Sequence, residues 1–186
     1  MEKLIPDYQQ LWDTMVPNPA SALPIQFVAN HINAFKGRYA AVGNHVCTTA
    51  PVPWFFVGLI HLMECGQNFN THLYNGDPLS ARTVHVPVGH PTIGTPPFTW
   101  DFSAVCALQY MGYSEPKQWD TPSILSYLEL YNGLGYQSHG IYTPYLWSKT
   151  NHYTSGKYTE DGKYDPSAIS NQIGAAPILH LLLLPS

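Results

Sequence analysis

Apolar and polar positions follow a helical period over most of the chain and lose it in one central stretch. Leu4, Tyr8, Leu11, Trp12 and Met15 recur at helical spacing, which predicts a short helix over residues 4–16. Three prolines in "VPNPASALP" end it. "IQFVANHINAFKGRYAAVGNHV" lies in a second expected helix, from about Ala22 to Val42, kinked near Gly37. "TTAPVP" is a connector. Pro53 suits the first turn of a third helix, which runs through the apolar stretch "VPWFFVGLIHLM" to about Cys65.

From Gly66 to Thr99 the helical period disappears among Gly and Pro. "ARTVHVPVG" alternates as a short strand does, which predicts a loop holding a small β-hairpin. Helix resumes in "TWDFSAVCALQYMGY", with Thr99 as its cap. It resumes again in "DTPSILSYLELYNGLGY", where Asp120 or Thr121 caps Pro122 and Asn132-Gly133 closes the helix. "YTPYLWSKTNHYTSGKYTEDGKYD" reads as aromatic, Gly-rich loop, and "SAISNQIGAAPILHLLL" as a last helix interrupted by Pro177. There are no repeats. The expected fold class is mainly α (α+β), a single domain over residues 1–186. Its small β-hairpin is inserted after the helix bearing Glu64, and the helix at 4–16 packs as an appendage.

Composition narrows the chemistry. Hydrophobic residues make up 45% of the 186, but charged residues only 11%, well under the usual quarter. The polar surface therefore comes from Asn, Gln, Ser, Thr, Tyr and His, which suits a neutral, hydroxyl-rich ligand. Net charge is −4 and the eight Lys and Arg are scattered singly, so no basic stripe tracks phosphates and nucleic acid is excluded as a partner. The longest apolar runs fall short of the roughly 20 residues of a spanning helix, so membrane insertion is not expected. The N-terminus lacks an apolar core and cleavage site of the signal-peptide kind. Cys47, Cys65 and Cys106 are widely spaced, which suits reduced thiols from cytoplasmic synthesis.

Against that background one carboxylate stands out. Glu64 falls on the last turn of the third helix, where the dipole's negative end and apolar neighbours both disfavour ionisation. A general acid is obtained in this way; a solvated or capped Glu at a helix end is the plainer alternative. Asp77 follows in the turn "NGDPL", and Thr83 six positions later. Glu, then Asp and Thr across a hairpin, is the layout of a glycosidase that attacks with water. Glu64 would protonate the leaving oxygen, Asp77 would orient or deprotonate a water, and Thr83 would help hold it. Carboxyls set for water attack stand about 6.5–9.5 Å apart and invert the anomeric centre. An Asx-turn at Asp77 and an ordinary strand residue at Thr83 are the alternatives.

These residues, with the later "LYNGLGY", resemble the lysozyme-like superfamily of phage-type lysozymes, goose-type lysozymes and soluble lytic transglycosylases. The resemblance covers about residues 38 to 175. It implies a lysozyme-like fold in which Glu64 matches the catalytic acid, and Asp77 and Thr83 match the Asp-x5-Thr pair of phage-type lysozymes. The loop from Glu64 to Asp77 is longer than in that pattern. "LYNGLGY" resembles the "AYNxG" segment of transglycosylases, so Tyr131 and Asn132 would face the sugar. "IHLMECGQNFNTHLYNGDPL", "RTVHVPVGHP" and "PYLWSKTNHYTSGKY" are similar to segments of phage and bacterial lysozyme-like proteins of this length, which often carry Glu-Ser-Ser where this chain has Glu64-Cys65-Gly66. Cys65 in place of the Ser after the acid, and the missing "GLMQ" segment, depart from transglycosylases; the missing segment and the Asp-x5-Thr pair lean towards hydrolysis.

The implied substrate is the β-1,4 glycan of bacterial peptidoglycan, cut by a monomer that needs no cofactor and no metal. Tyr74, Tyr131, Tyr136, Tyr142, Tyr145, Trp147, Tyr153 and Tyr158 would stack on sugar rings. Asn68, His72, Asn75, Asn132 and Gln172 would meet hydroxyl and acetamido groups. Lacking an export signal, the chain would wait in the cytoplasm as a phage lysin or form part of a virion. Rival readings are a lytic transglycosylase, a zinc amidase or peptidase using His61, His72, His85 and His90, a Cys65 nucleophile with His61 or His72, and a non-catalytic glycan-binding virion protein.

Overall fold

The computed structural model describes residues 4–160 and 162–184. Among these described residues it is mainly helical, with one two-stranded antiparallel sheet. The chain divides into two compact units, one running up to His31 and again from Trp119, the other spanning Ile32–Gln118. The division falls within helix α2 (Ala22–Ala34).

The Ile32–Gln118 unit is built on α3 (Lys36–Val46), α4 (Trp54–Cys65) and α5 (Trp100–Tyr110), with α3 packed on both α4 and α5. The expected helix over 22–42 is two helices. They part at Phe35, whose ring docks against Phe69 and Tyr39, rather than at Gly37. α4 is apolar almost all round and is buried accordingly, from Phe56 to His61 and at Met63. Gly58 permits its close seat: a Cβ there would stand 2.5 Å from Ile32 Cγ2 and 3.1 Å from the Tyr39 ring. Thr99 caps α5 as its sequence predicts, its hydroxyl accepting the Phe102 N–H.

Residues 66–99 correct one expectation. They hold no strand, only an isolated bridge between Thr71 and Pro78. In "TVHVPVGHP" the prolines at 87 and 91 remove ladder donors. The side chains of Val84, Val86 and Val88 stay exposed while Thr83 is buried.

The other unit holds α1 (Tyr8–Asp13), α6 (Thr121–Asn132), α7 (Pro144–Trp147) and α8 (Ala175–Leu182). α1 is shorter than the 4–16 expected. It packs on α6 with Leu11 buried, and the Tyr8 hydroxyl donates to the buried carboxylate of Glu129 at 2.7 Å. Gln137 donates to the same carboxylate at 3.2 Å. Burial, with Glu129 alongside, pushes the Tyr8 phenol up. Asp120 is the α6 cap and Gly133 its end. α8 begins only at Ala175, so Pro177 stands in its first turn, where its missing N–H costs nothing, and interrupts no longer helix. The sheet pairs β1 (Lys157–Glu160) with β2 (Lys163–Asp165), inside a stretch expected to be loop.

Candidate active site around Glu64

Glu64 lies on the last turn of α4, as its sequence position implies, and is half-buried. The helix stops because Gly66 turns left-handed at φ 56°, its N–H reaching Leu62 O at 2.9 Å while Gln67 N–H reaches His61 O at 3.1 Å. Gln67 repeats the left-handed conformation at φ 62°, which is rare for a residue with a Cβ. The chain then folds back onto the helix end. The Cys65 thiol donates to His72 O at 3.1 Å, and a Cβ at Gly76 would stand 3.2 Å from the Glu64 carbonyl oxygen. Acid and following turn are thus one packed piece.

That turn delivers Asp77, which is 6% exposed. Its Oδ2 accepts the N–H groups of Val84 (2.8 Å) and His85 (2.9 Å), and its Oδ1 meets His85 Nδ1 at 2.7 Å. Burial alone raises the carboxyl pKa. The His85 N–H, the His85 ring and the Val84 N–H outweigh it and hold the group down to about 2. Asp77 is therefore an ionised, almost enclosed anchor, and too weak a base to deprotonate water unaided. Thr83 is 2% exposed; its hydroxyl donates to Pro87 O and accepts the His90 N–H at 2.9 Å. The expectation that Thr83 holds a water is corrected, since it clasps its own loop.

The neighbouring residues divide in the same way. Asn75 accepts the Asp77 N–H at 3.0 Å and donates to His85 O and Val86 O at 3.1 and 3.3 Å. Asn68 accepts the Asn70 N–H at 3.0 Å, a turn contact. His72 is wholly buried between Ser103 Oγ at 2.7 Å and Ala81 O at 2.8 Å, so it is a core ligand of the loop and not a sugar contact. Tyr74 is buried and lines a pocket of about 220 Å³ with His90, Cys106 and Tyr110. An apolar depression of about 390 Å³ on the same unit, lined by Val42, Phe102 and Val105, holds none of Glu64, Asp77 and His85.

A Cys65 nucleophile loses its footing here. Burial pushes the Cys65 thiol up to about 12, so its thiolate is scarce near neutrality. The histidines offered as its partners are committed: His61 Nδ1 to the Tyr39 hydroxyl at 3.0 Å, and His72 at both nitrogens. Among the described residues no three His, Cys, Asp or Glu side chains converge as metal ligands do.

The remaining predicted sugar contacts lie on the other unit. Asn132, Tyr145 and Gln172 line one pocket of about 290 Å³ with Tyr136, Lys157, Tyr158 and Asn171. A second pocket, of about 520 Å³, shares Asn132, Tyr136 and Tyr158. Tyr131 is half-buried on α6. Trp147 has no exposed surface and is core rather than a stacking platform. The pairing of Asp77 with His85 is the feature sequence reasoning missed. Its only signal is an Asp in a turn eight residues before a His in a polar loop. No family model matches the chain, and no curated protein or solved structure matches it.

Proposed function

We propose that the chain is a glycosidase of bacterial peptidoglycan, cleaving the β-1,4 glycan with Glu64 as general acid. The observation that carries this reading is the packing of the Glu64-bearing helix end against a turn that holds a second, ionised carboxylate, Asp77. One carboxyl, half-buried, stands at a helix terminus and the other is held ionised in a net of donors, the unlike settings that an acid and its anionic counterpart require. The tyrosine- and amide-lined pocket suits a neutral saccharide, since aromatic faces cover sugar rings and amides meet hydroxyl or acetamido groups. In this reading Glu64 passes its proton to the leaving oxygen and water completes the cleavage.

Glu64→Gln keeps the shape and removes the proton. It is expected to abolish clearing of cell walls while leaving the circular dichroism and melting temperature near native. Wall lysis at native rate by that variant overturns the reading. A second reading, lytic transglycosylation, draws on the engagement of Asp77 with three donors, because a transglycosylase activates no water. Mass spectrometry of the digest separates the two: reducing ends for hydrolysis, 1,6-anhydro ends for transglycosylation.

A further inference from the structure

Resting on the glycosidase reading, we propose that His85 takes the proton from the attacking water, with Asp77 as the residue that positions its ring. Asp77 faces inward and is spent on its own loop; the His85 side chain faces outward, 78% exposed. Oδ1 of Asp77 meets Nδ1 of His85 at 2.7 Å, and Oδ2 of the same carboxylate accepts the His85 backbone N–H at 2.9 Å. This double hold puts the ring proton on Nδ1 and leaves the lone pair on Nε2, directed away from the anchor. A carboxylate behind an imidazole also stabilises the imidazolium that forms when Nε2 accepts a proton. The loop cannot easily release the ring, because Asn75 grips the His85 carbonyl and Thr83 clasps the loop's far end at Pro87 and His90. Among the described residues, the titratable group bonded to the imidazole is Asp77; Asn75, on the carbonyl side, is neutral.

The step balances. Glu64 gives its proton to the glycosidic oxygen as the bond from that oxygen to C1 breaks. Water oxygen bonds to C1 from the opposite face, and one water proton passes to His85 Nε2. The imidazolium then loses its proton to solvent, and Glu64 regains one. The earlier expectation put this role on Asp77; the structure gives Asp77 the supporting part and the imidazole the exposed one.

His85→Asn tests the proposal, because the Asn amide can still donate to Asp77 while Nε2 is gone. Expected is a fall in kcat of about 100-fold or more with melting near native. Sodium azide, a nucleophile that needs no deprotonation, is expected to restore turnover and yield a glycosyl azide visible by mass spectrometry. Native rate in His85→Asn, a fall without azide rescue, or anhydro ends from the native protein each overturn the assignment of His85. Activity in Glu64→Gln overturns instead the glycosidase reading beneath it, so the two failures are told apart.

Discussion

Replacing Asp77 by Ala removes the acceptor for two backbone N–H groups and one imidazole at once. Donors left without a partner cost roughly 1–3 kcal/mol each, so a loss of about 2–4 kcal/mol in urea unfolding is expected, larger than for His85→Ala. The sign of the pH dependence follows from a depressed pKa. Asp77's contribution is complete above the ordinary carboxylate range, and it drains away as pH falls through about 2. Acid titration of the native protein and of Asp77→Asn should therefore diverge above that range and converge below it. The position of Glu64 at a helix end was legible because an apolar run stopping at a Gly is a strong local signal. The partner of Asp77 was not, since a buried carboxylate bonding eight residues ahead leaves no period in the sequence.

At the scale of elements, the caps were readable and the tertiary choices were not. Thr99 and Asp120 each precede an apolar-periodic run, and each accepts the N–H three residues on. Asp120→Ala is expected to cost about 1 kcal/mol. The strand expected over 81–89 failed because its alternation sets exposed valines against one buried Thr, so it marks no core face. The strands that do pair, "KYTE" and "KYD", each set a tyrosine between polar residues, but the surrounding aromatics disguised them. Phe35 broke a helix that composition would have carried on to Val42. Gly58 shows how packing adds what pattern omits: Gly58→Ala would drive a methyl into the fully buried Ile32 and Tyr39. Despite Ala's better helix propensity, thermal melting should show destabilisation of about 1–3 kcal/mol.

For the whole molecule, charge sets the terms on which it meets its surroundings. With a net charge of −4 and its cations dispersed, it gains no long-range pull towards an anionic wall. Raising ionic strength to about 0.15 M shortens the screening length to about 8 Å, so on the proposed reading wall hydrolysis should speed up rather than slow down. No described helix is long and apolar enough to cross a membrane. The sites follow the same division as the fold. The proposed proton transfers belong to the Ile32–Gln118 unit, whereas the amide and tyrosine pocket belongs to the other.

That pocket has tyrosines at its wall and no tryptophan, while the indole of Trp147 is sealed beneath the surface. A saccharide settling there would perturb tyrosine ultraviolet absorption and leave the Trp147 fluorescence dark to the event. Oligosaccharide titrations followed by difference absorbance should therefore register occupancy that an indole-emission assay overlooks.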